Sequence, residues 1–519
     1  MSETSGNQSQ LAGERPGLAA TAASGAMWMA MQSVFSRLYG FLVQIVLSWL
    51  LMPEQVGQIA LVYTITAFAT QLINPGVDSV LLQKHTRMQR WVTPAFWLCL
   101  TCGAVGALVM VAAGTLTVTV ARSFGNEAYG DPTLIRLIAI LCIGAPLNTA
   151  GLVPMVILNH QMRFARVASV NLLEGMLQQT LTVVCAAAGL GVYSFVVPMP
   201  IVAAVRTAVL WRIARPRVRL HANFHRWPAL ISSTGWILGQ RLLATATSQG
   251  DYIVLALIFA SKGLVGQYSF AFLLATQAIR VICDNVGAAL TPALNVMQGD
   301  RMRLFAGAER AARVLAAIVA PLAMLQFLFA GPAISLIFAS KWYPAIPLVR
   351  ALSVGTVLLT AVWPMGNTII AQGRFRDGFI LWILNALSFF SVVIPCTRIW
   401  SALGTAIGVS AWSAIAGCLF SSFVYGPQGL RKYASIMAKP LFSVIATSAP
   451  LSFIITVMPR SAVMSAVTIA FFAPLAVALY AMILRVLAPE TYAFVARHAT
   501  DSLFPILRRV RRAPLGRGE

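Results

Sequence analysis

Six arginines sit inside runs of apolar residues: Arg37, Arg136, Arg206, Arg241, Arg280 and Arg350. A charged side chain in hydrocarbon is costly, so it faces a bundle interior or a watery cavity, pairs with an acid, or reaches to the interface. A guanidinium in a cavity binds phosphate oxygens through its planar fork. The spacing narrows the choice. Ser33, Arg37, Gln44 and Ser48 recur at steps of three, four or seven along one run, and Arg241, Thr245, Ser248 and Asp251 do so along another, so each set forms a polar stripe on one helix face. Arg37, Gln44, Arg241 and Arg280 are therefore the candidate substrate-binding residues. Arg37 and Arg241 are expected at matching depths, roughly 16 Å into their helices at ~1.5 Å per residue, near the membrane midplane. The bland alternative is that these arginines pair with neighbouring acids and staple the bundle.

The acids in these runs are fewer: Glu174, Asp251 and Asp284, with Asp78 just beyond the Asn74-Pro75-Gly76 breaker. Asp251 is the candidate ion-coupling carboxylate, able to take a proton or Na⁺, with pairing to an arginine as its alternative. Arg280 and Asp284 have the spacing of an i,i+4 pair. Arg136, Arg206 and Arg350 lie near run ends, where snorkelling is the expected behaviour. Arginine in surplus over acid suits an anionic head group and disfavours a cationic molecule.

These residues need elements that cross a bilayer. The chain has 519 residues, 58% hydrophobic and only 10% charged, with a mean hydropathy of +0.78. A soluble protein carries about a quarter of its residues charged, so much of this surface meets lipid. Runs of about twenty apolar residues recur along the chain, each long enough to span ~30 Å of hydrocarbon, and helices are the form that satisfies the backbone there. The reading is an all-α polytopic membrane protein of about fourteen transmembrane helices, two pseudo-symmetric six-helix bundles plus two C-terminal helices. Its expected parts are a disordered N-terminal tail (1–25), a first bundle (26–211), a basic linker (212–228), a second bundle (229–424), two further helices (425–484) and a basic tail (485–519). The first apolar run is too long for a cleaved leader.

The net charge of +23 invites a nucleic-acid reading. Most of the basic residues, however, fall in loops on one side, together with both termini. That bias places the termini in the cytoplasm and excludes nucleic acid as the partner. The arginine-rich tail suits anionic lipid headgroups. No GxxxxGK[ST] loop is present, the five histidines fall in loops or the tail, and the seven cysteines lie in or beside apolar runs as small apolar residues. No cofactor, metal site or enzymatic constellation is expected.

The chain also repeats itself. Val56-Gly57-Gln58 recurs as Val265-Gly266-Gln267, and Arg163-Phe164 recurs as Arg374-Phe375 at nearly the same spacing. Two matches at nearly one spacing argue for an internal duplication. Parallel repeats are common in secondary transporters, whose substrate path lies between the halves.

The opening run GAMWMAMQSVFSRLYGFLVQIVLSWLLMPEQVGQIALVYTITAF, INPGVDSVLLQ, NHQMRFARVAS, GLGVYSFVVP, GDYIVLALIFASKGLVGQYSFAF, ASKWYPAIPLVRALS and AQGRF, in that order, cover most of residues 25–400. In this order they resemble the polysaccharide transport (oligosaccharide flippase) branch of the multidrug/oligosaccharidyl-lipid/polysaccharide exporter superfamily. The resemblance implies two six-helix bundles around a V-shaped cavity. It also implies translocation of a polyprenyl-diphosphate-linked oligosaccharide across a bacterial inner membrane for exopolysaccharide, capsule or O-antigen assembly. The implied partners are that lipid, the surrounding membrane lipids and polymerase or glycosyltransferase proteins, with Arg37 and Arg241 in the diphosphate-binding role. The alternatives are a flippase for the peptidoglycan lipid precursor, a cation-coupled small-molecule exporter of the same superfamily, and a non-transporting scaffold of a synthesis complex.

Overall fold

The computed structural model describes residues 15–73, 89–161, 163–216, 218, 227, 235–297, 300–372, 374–458 and 461–496. Asp78, the Asn74-Pro75-Gly76 breaker, the basic residues Lys84, Arg87, Arg217, Arg219 and Arg226, and most of the basic tail lie outside them. Among the described residues there is no strand. The chain is an all-α polytopic membrane protein, and it divides into two units, 1–266 and 267–519.

In the first unit α1 runs Arg15–Leu50, α2 Pro53–Ile73, α3 Gln89–Ser123, α4 Thr133–Ala150, α5 Leu152–His160, α6 Phe164–Ala187, α7 Tyr193–Val196, α8 Pro198–Ala214 and α9 Gly235–Phe259. α1 begins at Arg15, so residues 15–25 are helix where a disordered tail was expected. Pro16 is tolerated in a first turn, and the alanines that follow are the strongest helix formers. α1 packs on α6, α2 on α3 and α9, α3 on α4, and α8 on α4 and α6. Residues 262–266, the first turn of α10 (Lys262–Val296), also belong to this unit.

The second unit holds the rest of α10, then α11 (Arg301–Ile337), α12 (Ile346–Leu358), α13 (Val362–Ala371), α14 (Phe375–Tyr425), α15 (Gly429–Val457) and α16 (Ala462–Leu487). α11 is its central helix, packed against α12, α15 and α16, and lined on that side by Ala316, Val319, Ala320 and Ala323. α14 is broken at Trp400 (φ −125°) and Ser401 (φ 55°), where the chain turns back on itself.

Nine stretches among the described residues are long and apolar enough to cross a membrane. One of them, Arg376–Ile455, is 80 residues long and contains the break at Ser401, so it holds more than one crossing. α6 falls outside the nine because it is more polar, carrying Arg166, Glu174, Gln178 and Gln179. Lipid-facing sides are evident from exposed apolar residues such as Leu38, Leu42 and Trp49 on α1 and Phe453, Val463 and Phe471 on α15 and α16. Many Ser and Thr hydroxyls donate to the carbonyl one turn back, as Thr64 does to Ala60 and Thr182 to Gln178, which satisfies a polar group without leaving the helix.

The duplication has a physical basis. At the corner that opens α2 and α10, a Cβ on Gly57 would stand 1.9 Å from the Lys262 carbonyl oxygen, and one on Gly266 would stand 1.8 Å from that of Pro53. Only glycine lets two helix starts approach so closely. The second repeated element is also one structure used twice. Arg163 and Arg374 are the N-caps of α6 and α14 with nearly identical backbone angles, φ −82° and ψ 52° against φ −82° and ψ 58°.

Candidate substrate site

The candidate residues of the first unit lie on two helices. Arg37 and Gln44 belong to α1, and Arg241 and Asp251 to α9. α1 has three faces. Ser36, Tyr39, Gly40, Val43 and Leu47 point towards α6, where Tyr39 Oη lies 2.8 Å from Thr180 Oγ1. Phe35, Leu38, Leu42, Val46 and Trp49 form an exposed apolar face. The stripe Ser33, Arg37, Gln44 and Ser48 lies away from that exposed face at helical spacing. Ser48 is buried and donates to Ile45 O, and the Gln44 side-chain amide nitrogen is buried with no hydrogen-bond partner. A buried amide donor left unmade is expensive.

On α9, Thr245 and Asp251 are buried and Arg241 is partly exposed. Gln249, next to this stripe, meets Thr64 of α2 at 3.4 Å. Asp251 Oδ1 accepts from Tyr252 N. At ~1.5 Å per residue Asp251 stands about 12 Å from the Phe259 end of α9 and Arg241 about 27 Å from it. The two are therefore about 15 Å apart along one helix and are not an ion pair with each other.

This geometry corrects the expectation of matching arginines near the midplane. Arg37 is about 20 Å from the Leu50 end of α1, so it and Arg241 differ in depth by roughly 7 Å. Counted back from the Gly57–Gly266 corner, the counterpart of Arg37 is Ala246 and that of Arg241 is Gln32. They occupy corresponding helices but not corresponding positions.

Above Asp251, towards the Phe259 end, the loop of residues 124–132 is clamped in place. Asn126 Nδ2 donates to Ala256 O at 2.9 Å, and its Oδ1 accepts from the backbone of Ala128 and Tyr129. Asp131 Oδ2 accepts from Gln58 Nε2 at 2.8 Å and from Lys262 Nζ at 2.5 Å, and Asp131 Oδ1 accepts from Thr133 N. One carboxylate thus ties the starts of α2, α4 and α10. Burial alone would raise its pKa, but the hydrogen bonds from Lys262 and Thr133 and the lysine charge outweigh it and hold the group at about 2. Tyr129 is buried with its hydroxyl unpartnered, and burial, with the negative charge of Asp251 in addition, pushes its phenol upward. Sequence reasoning missed this cluster, because Asp131 is a loop acid with no motif around it. Gln58 and Lys262 flank the repeated glycines, and that was the available signal.

Arg206 does not snorkel as expected: its Nε lies 2.9 Å from Glu174 Oε2, with the arginine side chain only 13% exposed. α8 and α6 pack together here, so the acid is nearer than the interface. Arg136 is exposed in the first turn of α4. Arg350 lies over Gly331 of α11, 3.6 Å from where a Cβ there would stand. Arg280 is in the second unit with its side chain exposed, and the side chain of Asp284 lies outside the described residues.

A family described as "Polysaccharide biosynthesis protein" matches residues 46–347. The chain is 25% identical over 316 residues to the succinoglycan biosynthesis transport protein ExoT of Rhizobium meliloti, covering 61% of this chain. The matched region spans 62% of that relative, less than two thirds of its length. It is 20% identical over 337 residues to the teichuronic acid biosynthesis protein TuaB of Bacillus subtilis, covering 63% of this chain and 67% of that one. In fold it is similar to the lipid II flippase MurJ in an inward closed conformation, with a TM-score of 0.65 over 92% of this chain and 100% of that chain at 12% identity. The eukaryotic MATE transporter AtDTX14 follows with a TM-score of 0.56, covering 80% of this chain and 98% of that one at 10% identity.

Proposed function

Because the chain belongs to the polysaccharide biosynthesis protein family, whose model matches more than half of it, we propose that it is a flippase moving a polyprenyl-diphosphate-linked oligosaccharide across the bacterial inner membrane. The observation that carries the reading is the stripe on α1. There an arginine and a buried, unpartnered glutamine amide share a face away from the exposed apolar side of the same helix. A guanidinium fork and an amide donor suit the oxygens of a diphosphate, while the polyprenyl tail stays in lipid. Arg241 adds a second guanidinium at a different depth, suited to following the head group as it moves. Asp251, buried beneath the 124–132 loop, is the ion-coupling carboxylate of this scheme. Both termini face the cytoplasm, in keeping with the excess of basic residues in the loops on their side. The names of the two relatives, a succinoglycan biosynthesis transport protein and a teichuronic acid biosynthesis protein, support the substrate class.

Lipid analysis of a strain lacking this gene tests the reading. A polyprenyl-diphosphate-linked oligosaccharide accumulates, and the wild-type gene clears it. Accumulation of the peptidoglycan lipid precursor instead would favour the alternative substrate, and an unchanged lipid profile would overturn the proposal.

A further inference from the structure

Where α6 begins and α8 ends, Arg163, Arg166, Arg212 and Arg215 line one open cavity of about 480 Å³. All four are exposed, and among the described residues none has an ion pair or side-chain hydrogen bond. Loop arginines that only set membrane orientation need not converge. The internal repeat supplies a control for that explanation. The register that matches Arg163 with Arg374 also matches Arg166 with Asp377, Arg212 with Phe423 and Arg215 with Gly426. In the second unit this corner neutralises itself. Arg374 Nε lies 2.8 Å from Asp377 Oδ2, the Arg374 guanidinium sits 5.0 Å from the Phe423 ring centroid, and Gly426 has φ 63° and ψ −137°. The first unit keeps the same N-cap backbone at Arg163 but places an arginine at all four positions, and at the last of them the backbones part, Arg215 being left-handed at φ 43° and ψ 58°. The fold therefore does not require the four charges. Their mutual repulsion, increased at Arg163 and Arg166 by the N-terminal dipole of α6 and eased at Arg212 and Arg215 by the C-terminal dipole of α8, is relieved by an anion with several oxygens.

We propose that this arginine-lined corner is a second anion site, separate from the α1 and α9 stripes, that binds a phosphate or diphosphate group through paired guanidinium forks. An anionic phospholipid headgroup and a soluble phosphate compound share that chemistry. The proposal does not depend on the transported substrate.

The test uses the full-length purified protein in two arms. Delipidated protein in detergent is titrated with inorganic pyrophosphate by calorimetry. In parallel, protein in phosphatidylcholine discs with and without phosphatidylglycerol is extracted, and the retained lipid is counted by native mass spectrometry. Wild type binds in at least one arm, which identifies the source as soluble or lipid. Arg163→Ala/Arg212→Ala weakens that binding by about tenfold or more, the loss expected when charge-assisted pairs are removed. Arg166→Asp, which copies the self-neutralising corner of the second unit, weakens it as much while keeping a residue that the same backbone accepts. Arg301→Ala/Arg303→Ala, at an exposed helix start, leaves it unchanged. Absence of binding in both arms, equal binding by wild type and Arg166→Asp, or an equal loss in the Arg301/Arg303 variant would each overturn the proposal.

Discussion

A Cβ on Gly57 would stand 3.0 Å from the backbone nitrogen of Gly266, and one on Gly266 would stand 2.9 Å from that of Gly57, so these counterparts in the repeat are also neighbours. Backbone rather than a flexible side chain fills the space, and no rotamer change makes room. Gly57→Ala and Gly266→Ala are each expected to destabilise the protein by about 1–3 kcal/mol, as overpacking does. Gly40→Ala, whose nearest neighbour is a side-chain atom at 3.6 Å, is expected to be far milder. Thermal unfolding of the three variants in detergent checks the ranking, and equal stability would show that the corner yields.

The Arg206–Glu174 pair is structural. Glu174→Gln leaves a guanidinium that is only 13% exposed without its counter-charge. The expected loss is about 2 kcal/mol, below that of a fully buried pair because Glu174 is 36% exposed. Replacing both partners, as in Arg206→Met/Glu174→Leu, recovers most of it. A double variant as unstable as the single one would show that the pair's packing matters more than its charge.

The clamp at Asp131 has a defined acid limit. Its carboxyl is held at about 2 against an ordinary value of 3.8. A depressed carboxyl stabilises the fold fully above the ordinary value, and that contribution is lost as pH falls from about 4 towards 2. The stability difference between wild type and Asp131→Asn is therefore flat from pH 5 to 8 and shrinks below pH 4. A difference that changes between pH 6 and 8 would implicate another group.

Asp251→Asn removes the carboxylate proposed to couple transport. Reconstituted wild type is expected to respond to an imposed proton or sodium gradient, and the variant is expected to move substrate without that response. An identical gradient dependence in both would remove Asp251 from the scheme.

The membrane class, the helical fold and the duplication were legible in the residues because each depends on local composition or a short repeated motif. The VGQ and RF repeats mark corners where glycine packing and a helix N-cap constrain residue choice directly. Depth was harder to read. Arg37 and Arg241 look equivalent when counted from expected helix starts, but the Gly57–Gly266 corner sets the register, and α1 extends back to Arg15. Partners distant in the chain were not legible either. Nothing local to Glu174 names Arg206, and nothing local to Asp131 names Lys262, since those pairs exist only once α6 meets α8 and the 124–132 loop meets α10.

The central claim is that this chain moves a diphosphate-linked oligosaccharide by engaging its head group with Arg37 and Arg241. The most direct measurement uses sealed vesicles containing purified protein and a labelled polyprenyl-diphosphate oligosaccharide, and follows the label that becomes accessible to an external glycosidase. Wild type is expected to expose the inner-leaflet half of the label. Arg37→Ala and Arg241→Ala, present at equal amounts, are expected to slow exposure by about ten- to a hundredfold each, the cost of losing a charged hydrogen-bonding partner. Exposure by wild type no faster than by protein-free vesicles, or by both variants as fast as by wild type, would contradict the account.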